Sequence, residues 1–94
     1  MIFSKILKNK SFLVYGLGVT GISAIKFLKR IGVKSIFIWD DNSETRKKYN
    51  LKYKEKNIKK GFSDVDYIVL SPGISLLKSK KKKYLKRNKN KIIT

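Results

Sequence analysis

Gly16-Leu17-Gly18-Val19-Thr20-Gly21 is the feature that most narrows what this chain can become. Three glycines at the spacing G-x-G-x-x-G join a short apolar run, Phe12-Leu13-Val14-Tyr15, to an amphipathic stretch. Each glycine has its own physical reason. The first permits a tight turn, the second lets a diphosphate approach the backbone, and the third lets a helix pack closely on a strand. Free N–H groups at the start of the following helix then face an anion. Thr20 adds a hydroxyl donor. The spacing alone is weak, but here a strand pattern precedes it and a helix pattern follows it.

The flanking segments set the fold class. Phe12 to Tyr15 is apolar along its length, as a strand covered on both faces requires. Ala24, Ile25, Leu28 and Ile31 share one helical face, while Ser23, Lys26, Lys29 and Arg30 share the other. Gly32 closes that helix. Ser35-Ile36-Phe37-Ile38-Trp39 reads as a second strand, ending at Asp40-Asp41-Asn42. Ser43 is placed to cap a short helix with Glu44 in its first turn. Lys52 to Lys60 reads as a weak edge strand or loop. Tyr67-Ile68-Val69-Leu70 is a further strand, stopped by Ser71-Pro72-Gly73, and Leu76 to Asn88 reads as a polar helix. Lys91 to Thr94 begins another strand. Strands alternating with helices predict an α/β fold, a Rossmann-like parallel sheet with helices on both faces, as a single domain over residues 1–94.

Composition trims the function classes. With no Cys and no His, the chain offers no thiolate nucleophile, no zinc–thiolate site and no imidazole base. No catalytic or metal-ligating residue is assigned. The net charge of +18 invites a nucleic-acid reading. Its makeup argues against that, because 21 of the 24 cations are Lys and only Arg30, Arg46 and Arg87 are the bidentate kind. Lys, Ile and Asn, all with AT-rich codons, supply 39 of 94 residues, so compositional drift accounts for most of the charge. The Lys78–Lys91 cluster reads as a solvated helix face, since its one aromatic, Tyr84, makes no stacking platform for single strands. Lys5, Lys8 and Lys10 before an uncharged stretch imitate a secretory leader, but three glycines interrupt it. No run reaches the ~18–20 apolar residues of a membrane span. A cytoplasmic protein, without a membrane partner, is the expectation.

Two acceptor sites remain. Asp40 stands 24 residues after Gly16, where dinucleotide folds place an acid on ribose hydroxyls, so NAD is one candidate ligand. Ser71-Pro72-Gly73-Ile74 follows the third clear strand, at the carboxyl edge where open sheets bind ligands. Together the glycine turn, the strand-end Asp and the S-P-G-I turn resemble the N-terminal domain of the Mur ligases, in particular those that add D-glutamate to UDP-N-acetylmuramoyl-L-alanine. Phe12–Leu28 and Asp66–Ile74 carry the likeness, which extends over about residues 10–94.

That resemblance implies a UDP-anchoring domain of a cell-wall ligase. Gly16, Gly18, Val19, Thr20 and Gly21 would form the diphosphate turn. Asp40, Asp41 and Asn42 would border the uracil, although Asp41-Asn42 stands where the family commonly has Thr-Arg. Ser71, Pro72 and Gly73 would line the nucleotide-sugar site. Asn50 to Ser63 departs from the family, being shorter and more basic. The family reaction needs ATP and Mg, held by a central ATPase domain with G-x-x-G-K-[ST], and a C-terminal domain for the amino acid. No G-x-x-G-K-[ST] run occurs in these 94 residues. The chain is expected to bind UDP-N-acetylmuramoyl-L-alanine as one part of a larger ligase, with no cofactor of its own and no ligation alone. An NAD-binding regulatory module is the alternative, and a basic nucleic-acid-binding protein a more distant one.

Overall fold

A computed structural model describes residues 2–49 and 58–93. The strands β1 (Ser11–Tyr15), β2 (Ser35–Trp39), β3 (Tyr67–Leu70) and β4 (Ile92–Ile93) form one sheet in the order β2-β1-β3-β4. All three pairings are parallel. The helices among the described residues are α1 (Ile2–Leu7), α2 (Val19–Arg30), α3 (Ser43–Lys48), α4 (Ile58–Asp64) and α5 (Lys82–Arg87). A 3-10 turn at Lys89–Lys91 leads into β4. The expected α/β class, a Rossmann-like parallel sheet covered on both faces, is what the chain forms.

The register explains why the strands carry no polar alternation. Leu13 pairs with Phe37 and Ile68, and Tyr15 pairs with Trp39 and Leu70. These residues share one face and pack with Phe62 of α4, Val65 and Leu85 of α5. Phe12, Val14 and Ile36 point the other way and pack with Leu28 of α2, Leu17 and Val33, with Leu7 of α1 against them. A strand with helices on both sides must be apolar at every position, and Phe12 to Tyr15 are all buried. α4 fits closely on β2, where a Cβ at Gly61 would come within 3.0 Å of the Phe37 ring. Phe62 next to it stacks on Tyr84 of α5 at 5.3 Å between centroids.

Several local readings change. Leu76–Asn88 does not form one helix; only Lys82–Arg87 does. The preceding N–H donors are taken elsewhere. Ser75 Oγ accepts from the N–H groups of Leu77 and Lys78 at 3.2 and 3.3 Å. The N–H of Lys80 goes to Asp41, and that of Lys81 to the Tyr15 hydroxyl. Of the Lys52–Lys60 stretch, residues 52–57 lie outside the described residues, and 58–60 open α4 rather than an edge strand or loop. α1 was not signalled by the sequence. The cap of α3 falls on Asn42 instead of Ser43, because the Asn42 side chain accepts from Glu44 N–H at 2.9 Å and Thr45 N–H at 3.2 Å.

Phe62 is fully buried between the sheet and α5, on the face where α4 is short. Phe62→Ala should cost about 3–5 kcal/mol, a large share of a small domain's stability. Urea unfolding followed by Trp39 fluorescence would read this as a lower midpoint with an unchanged slope.

Candidate functional site

The carboxyl ends of β1, β2 and β3 meet around one residue. Gly16 follows β1 with φ +101°, a conformation that side chains rarely adopt. Its N–H donates to the Trp39 carbonyl at 2.7 Å, across to β2. Its carbonyl accepts the Ser71 hydroxyl at 3.1 Å, across to the segment after β3. The Ser71 N–H in turn donates to the Tyr15 carbonyl at 3.1 Å. A Cβ on Gly16 would sit 2.9 Å from the Ser71 side chain, and a Cβ on Gly21 would overlap the Gly16 carbonyl oxygen. Gly16 and Gly21 are therefore glycines for packing.

Gly18 is different. It is exposed, forms the N-cap of α2 with no side-chain cap bond, and a Cβ there would meet nothing within 4 Å. The free space lies on the open side of the turn. Gly16, Gly18, Val19, Thr20, Asp40, Ser71, Pro72, Gly73 and Ile74 line one open cavity of about 330 Å³. That volume lies in the range of small-molecule sites. Eight of the eleven residues singled out from the sequence thus converge, and Ile74 joins them. Gly21 lies beneath the turn as its packing contact.

The three residues at the end of β2 do different things. Asp40 braces the glycine turn: its Oδ2 accepts from Leu17 N–H at 2.8 Å and its Oδ1 from Asn42 N–H at 2.9 Å. Both oxygens are engaged with backbone, so the carboxylate shapes the cavity wall. Asn42 is spent on capping α3. Asp41 does not line the cavity. Its Oδ1 accepts from the Tyr15 hydroxyl at 2.5 Å and from Trp39 Nε1 at 2.9 Å, and its Oδ2 accepts from Lys80 N–H at 3.1 Å. Lys80 Nζ returns to the Asp41 carbonyl at 3.1 Å. Asp41 therefore ties β1, β2 and the segment before α5 together.

Two further groups, neither singled out from the sequence, complete this corner. The Arg46 guanidinium lies 4.1 Å from the centroid of Trp39 and donates to the Asp40 carbonyl at 2.6 Å. Lys81 Nζ lies 4.7 Å from the same ring. Such contacts contribute ~0.5–2 kcal/mol each. In a chain so rich in Lys, the lysines with structural roles cannot be told from the solvated ones by composition. A strand-end Trp followed seven residues later by Arg was the only available signal.

Burial opposes the charge on Asp41, but hydrogen bonds from Tyr15, Trp39 and Lys80, with the Lys80 charge, outweigh it and hold the carboxyl below its usual range. Burial, and then the bond to Asp41, push the Tyr15 phenol well above its usual value. At the other end of the sheet, the Ser11 N–H donates to Asp66 at 2.8 Å and holds that carboxyl low as well. Weak burial opposes this shift, while the Ser11 hydroxyl and the Lys10 and Lys91 charges add to it.

Fold and turn together define a Rossmann-like α/β domain with a glycine-turn cavity at the carboxyl edge of its sheet. Residues 10–93 match the family described as Mur ligase MurD-like, N-terminal domain, and the chain belongs to it. Curated relatives that match bear the name UDP-N-acetylmuramoylalanine--D-glutamate ligase, among them three from different bacteria. That of Wolbachia sp. subsp. Brugia malayi is 37% identical over 73 residues, 73% of this chain and 14% of the relative. That of Buchnera aphidicola subsp. Schizaphis graminum is 37% identical over 74 residues, 74% of this chain and 17% of the relative. That of Clostridioides difficile is 36% identical over 78 residues, 74% of this chain and 17% of the relative. The chain thus spans about one sixth of the length of the curated relatives it matches. No solved structure matches it significantly. Among the described residues, no helix is long and apolar enough to cross a membrane.

The depressed carboxyls of Asp41 and Asp66 fix a pH dependence. Their stabilisation is complete above the unfolded value of about 3.9 and is lost as pH falls through their lower folded values. Tyr15 has the opposite sign: its contribution is complete below about 10 and declines as pH rises beyond that. Urea midpoints should therefore be level near neutrality and fall on the acid side below about pH 4. Asp41→Asn with Asp66→Asn should lower the neutral midpoint and flatten that acid limb.

Proposed function

We propose that this chain is the substrate-anchoring N-terminal domain of a ligase that adds D-glutamate to UDP-N-acetylmuramoyl-L-alanine, and that its glycine-turn cavity holds the UDP moiety. The observation that carries this reading is the convergence of the glycine turn with Ser71, Pro72 and Gly73 in one cavity. The diphosphate would lie over Gly18, against the free N–H groups that open α2 and the exposed Thr20 hydroxyl. Gly16 and Gly21 hold the turn in shape from behind. Asp40 supports it from β2, and Asp41 and Asn42 set the strand end rather than face the ligand. Ser71 to Gly73 would meet the sugar side.

The family name and the relatives' names support a role in peptidoglycan precursor synthesis. In that role this domain binds and orients the nucleotide sugar. ATP and Mg would be taken by the parts of the ligase that correspond to the remaining length of the relatives, and amide formation would need them. The 94-residue chain alone would bind substrate without turning it over. A single domain over the whole chain suits that division, as does a cytoplasmic location. The other Mur ligase domains and the nucleotide sugar are the partners this reading names.

The NAD reading is less well supported. It asks Asp40 to hold ribose hydroxyls, yet both carboxylate oxygens already accept backbone N–H groups. An amide NMR titration compares the two ligands directly. UDP-N-acetylmuramoyl-L-alanine should shift Gly18, Thr20 and Gly73 saturably, and NAD should not; the reverse result would move the assignment to NAD. Gly18→Ala sharpens the test, because the added Cβ meets no protein atom. It should unfold at nearly the wild-type midpoint yet bind the UDP ligand at least about tenfold more weakly, by obstructing one charge-assisted backbone contact.

A further inference from the structure

At the opposite end of the sheet lies a second cavity, of about 480 Å³, lined by Lys8, Asn9, Arg30, Ile31, Gly32 and Lys34. The polarity of the parallel strands separates it from the nucleotide cavity. Lys8 and Asn9 precede β1, and Lys34 directly precedes β2, whereas the glycine turn follows β1. A five-residue strand puts about 15 Å between its two ends. We infer that this cavity is a binding site for a phosphate-bearing anion, held by Lys8, Arg30 and Lys34.

Three observations carry this. First, the cations converge from three separate backbone segments: the α1–β1 connection, the last turn of α2 and the α2–β2 connection. Gly32 makes the convergence possible. With φ +94° it ends α2 in a tight turn, and its Cα side faces the stem of Lys8, 3.8 Å from where a Cβ would stand. The turn thus brings Lys8 beside the residues that flank it. Second, among the described residues no acid is paired with these charges. The nearest comparable place, the start of β1 on its β3 side, has Asp66 to offset Lys10 and Lys91. Among the described residues, none gives a hydrogen bond or ion pair to the side chains of Lys8, Arg30 and Lys34.

Third, these cations are set apart from the other basic cluster. Lys80, Lys81 and Lys91 of that cluster are committed to contacts within the fold: with Asp41, with Trp39, and with the carbonyls of Phe62 and Ser63. The negative end of the α2 dipole accounts for about half a charge at this spot, against three positive side chains. Like charges gathered around a concave surface repel unless an anion joins them. Arg30 contributes the planar fork suited to two phosphate oxygens, Lys8 and Lys34 contribute point charges, and the Asn9 amide offers further donors. A volume near 480 Å³ admits more than a single inorganic ion and suits a diphosphate or a phosphorylated small molecule.

The test uses the whole chain and pyrophosphate as the probe, at constant ionic strength set with chloride, followed by amide NMR. Pyrophosphate should shift Asn9, Gly32 and Lys34 saturably, as a group distinct from Gly18 and Thr20, whose response reports the nucleotide cavity. Arg30→Gln with Lys34→Gln should weaken the first group's response at least about tenfold and leave the second group's unchanged. Both residues are exposed, and an unaltered urea midpoint would certify the fold. A parallel arm uses vesicles of phosphatidylglycerol in phosphatidylcholine. Sedimentation with them that is abolished by the same double variant would give the site a lipid headgroup as its phosphate source, whereas saturation by pyrophosphate alone would give it a free anion. Shifts that rise linearly without saturating, that spread evenly over all lysine-rich segments, or that persist undiminished in the double variant would overturn the assignment. So would lack of response in both arms.

Discussion

One residue, Gly16, is the joint on which the rest of the structure depends. Its N–H reaches β2 through Trp39, its carbonyl reaches the turn after β3 through Ser71, and the same carbonyl oxygen occupies the space a side chain at Gly21 would need. The positive φ of Gly16 is what allows all three at once. Any side chain at Gly16 would strain the backbone and strike Ser71, and any at Gly21 would lift α2 off the sheet. The cavity exists because these strand ends and this helix start are drawn to a single point. Gly18, in the middle, is left bare and exposed, and so is the surface a ligand can approach.

The β2 end shows how one short segment divides its tasks. Asp40, Asp41 and Asn42 are all acceptors at a strand terminus, and from the sequence they form one candidate set. Geometry separates them: Asp40 turns back to the glycine loop, Asp41 turns toward Tyr15, Trp39 and Lys80, and Asn42 turns forward into α3. Tyr15 explains the divergence. Its hydroxyl must find a partner at the edge of an apolar core, and Asp41 lies within 2.5 Å of it. A buried phenol at this position thus commits the residue that follows Asp40. Where the family commonly has Thr-Arg, this chain has instead built a corner of Asp41, Lys80 and Trp39 flanked by Arg46 and Lys81.

Much of this was legible in advance, for local reasons. The strands announce themselves because a sheet covered on both sides needs unbroken apolar runs, and the turn announces itself because only glycine satisfies its three constraints. What was not legible is equally physical. Leu76 to Asn88 has helix-forming composition, but Ser75, Asp41 and Tyr15 capture its first N–H donors, and two of these three partners are more than thirty residues away. α4 has few large apolar residues in its sequence, and it is the packing of Phe62 in the core and of Gly61 on Phe37 that gives the segment a reason to be helical. Propensity cannot register either influence, because both arise only after the chain has folded back.

The charge of +18 resolves along the same lines. Compositional drift supplies lysines without regard to position, and the fold then sorts them. Some are recruited where a carboxylate, an indole face or a helix-terminal carbonyl stands within reach, as Lys80, Lys81 and Lys91 are. Most extend into water, where repulsion is screened over about 8–10 Å and costs little. Those around a concave surface are a third kind, because concavity holds the charges together and leaves room for an anion. The glycine-turn cavity is not of that kind: its lining holds no Lys or Arg, and what it offers an anion is backbone N–H groups at the start of α2. Under the proposed reading, net charge would speed the arrival of a nucleotide sugar at that turn, while the turn itself offers neutral backbone. That is why the lining of this cavity follows from the fold and not from the basic composition of the chain.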